Sequence, residues 1–112
     1  MGEPTASRTV VVANPQGLHL RPADVLARAA GRFSAKVELV RVSDGQRVDA
    51  KSILQIVTMA AEQGTELRVE AVGQDAQEAM DTLVNLMESD FALNETRDQD
   101  PSGGGDDRGG RP

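Results

Sequence analysis

The chain has 112 residues, of which 38% are hydrophobic and 27% charged, which suits one globular domain with one core. It contains no cysteine, which excludes disulfides, thiolate metal sites and a cysteine nucleophile and fits a reducing cytoplasm. The formal net charge of −6 argues against nucleic acid as the main partner, because phosphate backbones are bound by clustered Lys and Arg. We expect neither a signal peptide nor a membrane span, since no apolar run is long enough for either.

The first third of the chain predicts a strand, a turn, a helix and a second strand. Residues 1–8 are polar and predict a flexible N-terminus, whereas the β-branched run 9–13 predicts the first strand. After turn residues at 14–17, helical spacing begins at about residue 20, and Gly31 is predicted to end that helix. A second strand is predicted over 36–42, where the broken alternation near its end indicates a bulge or a hairpin end.

The later elements follow from turn residues and periodicity. An Asp-Gly pair at 44–45 predicts a hairpin into a short third strand over 47–50. Ser52 has the side chain of a helix N-cap, and Gly64 is predicted to end the helix that follows. Residues 65–71 alternate between apolar and charged, as in an antiparallel strand with one wet face. Asp75 is predicted to cap a last helix, whose apolar stripe consists of Ala76, Ala79, Met80, Leu83, Val84 and Met87.

This order of elements, β-α-β-β-α-β-α, predicts an α/β (α+β) fold. We expect a two-layer open-faced sandwich, in which three helices cover one face of a four-stranded antiparallel sheet. The domain is predicted to span residues 9–92. Residues 93–112 are rich in Gly, Asp and Arg with almost no apolar side chain, which predicts a disordered tail.

The stretch around the single histidine is the strongest indication of chemistry. His19 falls directly before the predicted first helix, at the N-cap position. Amides in the first turn of a helix precede the first intrahelical hydrogen bond. We therefore predict an anion-binding cradle around the imidazole. It consists of the backbone N–H groups of Leu20 and Arg21, the positive helix end and the Arg21 guanidinium. Gly17 is expected to let a partner come close.

We hypothesise that His19 is a nucleophile that accepts a phosphoryl group. The positive end of a helix disfavours a protonated imidazole beforehand and attracts the anionic phosphohistidine afterwards. Two plainer interpretations stay open: His19 as an ordinary surface residue beside a turn, and Arg21 as a solvated helix charge. A metal site has no support, since one histidine stands without carboxylates at ligand spacing.

Ser52 is the second candidate site. It is either a plain helix cap or a regulatory phosphorylation site, because a phosphate is tolerated at a helix N-terminus and adds negative charge to a partner-facing surface. Leu54 and Val57 follow it closely. If they are exposed they suit a transient protein interface, and otherwise they belong to the core.

Three stretches resemble one known family. Residues 17–23 (GLHLRPA) resemble the active-site signature of HPr, the histidine-containing phosphocarrier of the bacterial phosphoenolpyruvate-dependent sugar phosphotransferase system. Residues 50–54 (AKSIL) resemble its second signature, around a regulatory serine, and residues 63–67 (QGTEL) resemble the turn into its last strand. The resemblance extends over residues 9–88.

The resemblance implies roles for particular residues. His19 would accept a phosphoryl group from phospho-enzyme I on Nδ1 and pass it to the A component of a sugar-specific enzyme II, with Arg21 stabilising the phosphate. Ser52 would be modified by HPr kinase/phosphorylase where that enzyme exists. Leu20, Ile53 and Leu54 would form the apolar docking patch, to which we add Val57.

The resemblance also implies a monomeric cytoplasmic carrier rather than an enzyme with its own turnover. It implies no cofactor, no metal, no nucleic acid and no direct insertion into a membrane. Leu20 departs from the family, which commonly has a small or polar residue after the histidine, and the hairpin at 44–45 is slightly longer than usual. Two alternatives remain: a regulatory paralogue, of a nitrogen-type phosphotransferase system or of catabolite signalling, and an interaction module that is never phosphorylated.

Overall fold

The computed structural model describes residues 2–89 and residue 91. The elements in chain order are β1 (Thr5–Val11), α1 (Leu20–Gly31), β2 (Lys36–Arg41), β3 (Arg47–Asp49), α2 (Ile53–Met59), β4 (Glu66–Val72) and α3 (Ala76–Glu88). This confirms the predicted order of strands and helices. The predicted tail, residues 93–112, lies outside the described residues.

The four strands form one antiparallel sheet in the order β1-β4-β2-β3. Strand β4 pairs with both β1 and β2, and its buried side chains Leu67, Val69 and Ala71 alternate with more exposed charged ones, as the sequence predicts. The three helices cover one face, which confirms the open-faced sandwich. The core between the layers consists almost wholly of aliphatic side chains and methionine.

Strand β1 begins four residues earlier than the sequence predicts. Residues 5–8 were expected to be flexible, but they pair with residues 69–72 of β4. Arg8 also donates a hydrogen bond to Glu88 of α3 at 3.2 Å. The periodicity of apolar residues missed this segment because strand pairing uses backbone groups, and Thr5 and Ser7 lie exposed on an edge strand.

Of the two predicted helix ends, the one at Gly31 is confirmed and the one at Gly64 needs correction. Gly31 is the last residue of α1 but not a left-handed cap, because the chain continues in right-handed geometry at Arg32. Helix α2 ends at Met59 rather than near Gly64, and Ala60 adopts the left-handed conformation with φ of 57°. Gly64, with φ of 90°, belongs to the turn before β4.

The side chain of Asp75 does not cap α3, although Asp75 occupies the N-cap position. Its carboxylate instead accepts hydrogen bonds from the backbone N–H groups of Ser34 at 2.9 Å and Ala35 at 2.8 Å. It therefore joins the start of α3 to the segment before β2.

Strand β2 pairs with β4 without interruption from Lys36 to Arg41. The broken alternation in the sequence therefore marks the end of a hairpin and not a bulge. The Asp-Gly turn is confirmed, with Gly45 at φ of 77°. Strand β3 stops at Asp49, one residue short of the prediction.

Candidate functional site

His19 occupies the N-cap of α1, as the sequence predicts. Its backbone is extended (φ −76°, ψ −169°), and its carbonyl accepts the first helical hydrogen bond, from Ala23 N–H at 3.0 Å. The imidazole makes no capping hydrogen bond and is half-buried. The backbone of His19 thus starts the helix without engaging the ring nitrogens in capping.

The loop that carries His19 is fixed at both of its ends. Asn14 accepts from Gln16 N–H through Oδ1 at 2.8 Å and from Gly17 N–H through its carbonyl at 2.9 Å, which closes a turn. Leu18 is buried and donates its N–H to the Ala61 carbonyl at 2.9 Å. The position of His19 therefore depends on the segment that follows α2.

Gly17 allows this segment to come close. Its φ is +73°, and a Cβ at this position would lie 2.4 Å from the Ala61 carbonyl oxygen. Gly17 is itself buried. The expectation that it opens space for a partner protein is therefore wrong, since its own chain occupies that space.

Arg41 fixes the far side of the same segment. Its guanidinium donates to the Met59 carbonyl, the last residue of α2, at 2.8 Å and to Asp44 of the β2–β3 turn at 3.2 Å. The backbone N–H of Gln46, and then Arg41, lower the pKa of the Asp44 carboxyl below its ordinary value. Arg41 thus connects the end of α2 to the β2–β3 hairpin. The segment after α2, which includes the Ala61 carbonyl that binds Leu18, is positioned by the same contact.

A cleft of about 280 Å³ brings the predicted histidine and arginine together. Half of its lining residues are polar: Asn14, Gln16, His19 and Arg21. The other half are apolar: Pro15, Pro22, Val25 and Phe91. A polar half with one guanidinium at a helix N-terminus is suited to a small anion.

The sequence interpretation missed two lining residues, Val25 and Phe91, of which Phe91 is the more distant in sequence from His19. Phe91 follows α3, is only 4% exposed and donates its N–H to the Leu86 carbonyl at 2.8 Å. It is one of two aromatic residues in the chain, placed just after the apolar stripe of α3. That placement was the available signal, but the polar sequence beyond it suggested only the end of the domain.

Ser52 caps α2, as predicted: its Oγ accepts from Gln55 N–H at 3.2 Å. Of the proposed docking residues, Leu20 is 65% and Leu54 79% exposed. Ile53 and Val57 are only half-buried and pack against the core. The exposed leucines lie in the first turns of α1 and α2, which contact each other.

In the part of the chain that the structure describes, no group of three or more His, Asp or Glu side chains could hold a metal ion. No helix within residues 2–89 is both long enough and apolar enough to cross a bilayer.

Comparison of the sequence with known proteins identifies its family. The family model described as PTS HPr component phosphorylation site matches residues 6–89. The phosphocarrier protein HPr of Treponema pallidum is 42% identical over 84 residues, which cover 75% of this chain and 93% of that protein.

Solved structures give the same result. HPr-C-His from Thermoanaerobacter tengcongensis has a TM-score of 0.72 and 36% identity, covering 77% of this chain and 94% of that one. Crh, the Bacillus subtilis catabolite repression containing protein, has a TM-score of 0.61 and 38% identity, covering 71% and 90%. The chain therefore belongs to the HPr family of phosphocarrier proteins of the phosphotransferase system.

Proposed function

We propose that this protein carries a phosphoryl group on His19, which it accepts from phospho-enzyme I and donates to the A component of a sugar-specific enzyme II. The observation that supports this most is the position of His19 at the N-terminus of α1, in one cleft with Arg21 and with its ring outside the capping hydrogen bonds.

The chemistry is a reversible exchange of one N–P bond for another. The lone pair of His19 Nδ1 attacks the phosphorus of the donor's phosphohistidine, the donor's N–P bond breaks, and the donor ring keeps that electron pair. The negative charge on the phosphoryl oxygens is stabilised by the positive end of α1 and by the guanidinium of Arg21. Donation to the next protein reverses these steps.

Docking would use the apolar side chains near the starts of α1 and α2. Leu20 and Leu54 are exposed, and Ile53 and Val57 add half-buried apolar area beside them. Exposed apolar residues amid polar ones suit a transient interface, which has to form and dissociate at each transfer.

Ser52 would act as the regulatory residue, phosphorylated by HPr kinase/phosphorylase where that enzyme exists. Phosphorylation would put about −1.5 to −2 charge at the N-terminus of α2, which tolerates it because of the helix dipole. The same charge would lie two residues before the exposed Leu54 and weaken apolar docking there.

A regulatory paralogue is the second candidate function. The similarity to Crh, the catabolite repression containing protein of Bacillus subtilis, favours it. Such a protein would carry phosphate on His19 but signal rather than feed sugar uptake. The A component that takes phosphate from this protein distinguishes the two functions.

The first experiment follows acid-labile phosphate after incubation with phosphoenolpyruvate and enzyme I. We expect labelling that His19→Ala abolishes and Ser52→Ala leaves intact. Labelling that survives His19→Ala would contradict the proposal.

A second experiment tests Ser52. After incubation with ATP and HPr kinase/phosphorylase, Ser52 should gain acid-stable phosphate. If no phosphate is taken up, Ser52 has only the capping role.

Arg21 provides a quantitative test of the phosphate site. Arg21→Ala should slow transfer from phospho-enzyme I by about a hundredfold to a thousandfold, the range seen when one donor to the reacting charge is removed. Arg28→Ala is the matched control, because Arg28 is an exposed arginine of the same helix that pairs with Asp24 at 3.0 Å. Equal slowing in both variants would show a general charge effect instead.

A further inference from the structure

The apolar half of the His19 cleft draws on two distant parts of the chain. Pro15, Pro22 and Val25 come from the loop and helix that carry the histidine. Phe91 comes from beyond the C-terminus of α3. A side chain that follows the last helix thus lines the cleft of His19.

Phe91 is held there in an unfavourable backbone conformation. Its φ is 67°, in the left-handed region that bulky residues rarely adopt. A glycine would make the same turn without strain, so the turn by itself does not call for an aromatic residue. Strained residues persist where the surroundings hold them and concentrate at functional sites.

We infer that Phe91 is a positioning residue for the phosphoryl chemistry of His19, whose ring supports the imidazole and limits the access of water to the phosphohistidine. This inference rests on the proposed function of His19. Phe91 acts through the cleft that it shares with His19 and Arg21, and not by contact with the partner's reacting atoms.

The reaction that Phe91 would suppress is hydrolysis. A water oxygen attacks the phosphorus, the N–P bond breaks, inorganic phosphate leaves, and the ring nitrogen takes up a proton. Each hydrolysis wastes a phosphoryl group that a partner protein would otherwise receive. Apolar lining opposes it by excluding water, and the lower local dielectric also strengthens the attraction between Arg21 and the phosphate.

The test uses the full-length chain loaded chemically with phosphoramidate, so that no partner protein is needed. Because the chain has a single histidine, the loss of phosphohistidine can be followed directly by phosphorus NMR. We expect Phe91→Ala to lose phosphate about tenfold faster, equivalent to ~1.4 kcal/mol in the barrier. Phe91→Leu, which keeps apolar bulk, should restore most of the wild-type half-life.

Two further variants separate positioning from folding. Phe91→Gly removes the same ring but favours the left-handed turn, so it should hydrolyse as fast as Phe91→Ala even if it is the more stable protein. Met80→Ala removes a similarly buried side chain of α3 that does not line the cleft, and its phosphohistidine should have the wild-type half-life. Wild-type hydrolysis in both Phe91→Ala and Phe91→Gly would overturn the inference, as would equally fast hydrolysis in Met80→Ala.

Transfer kinetics provide an independent measurement. With phospho-enzyme I, Phe91→Ala should lower kcat and leave KM nearly unchanged, since the exposed leucines of the docking surface remain. A raised KM with unchanged kcat would contradict a positioning role. If enzyme I does not label the wild-type protein, the proposed function fails, whereas the hydrolysis of phosphoramidate-loaded protein still tests Phe91.

Discussion

Gly17 connects the local sequence of the site to its tertiary support. The residue closes the turn before His19 and lies against the Ala61 carbonyl, which in turn accepts the N–H of Leu18. The histidine therefore has its place because two backbone segments approach more closely than any side chain at position 17 would allow. This makes Gly17 a structural requirement of the site rather than an opening for partners.

We expect Gly17→Ala to destabilise the protein by about 1–3 kcal/mol, because it combines a left-handed φ with a backbone clash. Urea unfolding measures the loss, and the His19 imidazole signal in NMR shows whether the loop has moved. Gly31→Ala is the control: no atom lies within 4 Å of its Cβ position and its φ is not left-handed. It should stabilise the protein by about 0.5–1 kcal/mol. Equal effects of the two substitutions on the free energy of unfolding would show that the close approach of Gly17 to Ala61 does not contribute to stability.

The residues of the site differ in how visible they are in the sequence. His19 and Arg21 are adjacent to a turn and a helix start, so local rules place them together. Phe91 could not be placed in this way, because its position depends on how α3 packs across the sheet. The carboxylate of Asp75 was misassigned for the same reason, since its partners Ser34 and Ala35 lie far away in sequence.

At the scale of elements, α2 depends strongly on its two ends. It has only seven residues, and helices this short are not stable without capping and packing. Ser52 caps its start, whereas Ala60 ends it in a left-handed conformation that favours glycine. The helix carries the exposed Leu54, so its ends also determine the presentation of a proposed docking residue.

Ser52→Ala should cost about 1 kcal/mol of unfolding free energy, because the Gln55 N–H loses its acceptor. Ser52→Asp should preserve stability, since aspartate is an equally good cap and its charge suits the helix N-terminus. Thermal unfolding of the three proteins checks this. A stable Ser52→Asp protein that accepts phosphate poorly from enzyme I would further support docking beside Ser52, whereas full stability of Ser52→Ala would contradict the capping role.

Ala60→Gly should raise the unfolding free energy by about 0.5–1 kcal/mol, because glycine adopts the left-handed conformation without a Cβ penalty. Urea titration of the two proteins measures the difference. A loss of stability would show that the alanine methyl makes contacts that outweigh the strain.

The boundaries of elements were harder to predict than their order. Periodicity placed the helices and strands correctly because each buries one face. It failed at the start of β1 and the end of α2, where backbone pairing with β4 and the Arg41 contact with Met59 decide the outcome. These interactions join segments that are distant in sequence, which no local pattern encodes.

At the scale of the whole molecule, carboxylates connect separate elements. Asp75 joins the start of α3 to the chain before β2, and the N–H of Ser34 is the main cause that lowers the pKa of its carboxyl below its ordinary value of 3.8. Glu70 of β4 accepts from Arg68 at 2.7 Å and from Arg47 of β3 at 2.9 Å, and Arg68, followed by Arg47, lowers its pKa likewise. The packing of α3 and the pairing across the sheet therefore both favour ionised carboxylates.

The free energy of unfolding should accordingly fall in acid. A carboxyl whose pKa is lower in the folded than in the unfolded state stabilises the fold above the unfolded value, which is about 3.9 for Asp and about 4.3 for Glu. This contribution is lost as pH falls through the folded value. We expect urea unfolding between pH 6 and about pH 2.5 to show stability decreasing below about pH 4.

Asp75→Asn should flatten that decrease and lower stability at pH 6, because the amide oxygen accepts hydrogen bonds without the charge. Asp81→Asn is the control, because the Asp81 carboxylate accepts a hydrogen bond from Gln77 of the same helix and so joins no second element through that bond. It should leave the slope unchanged. If both variants keep the wild-type slope, acid sensitivity does not come from the Asp75 connection.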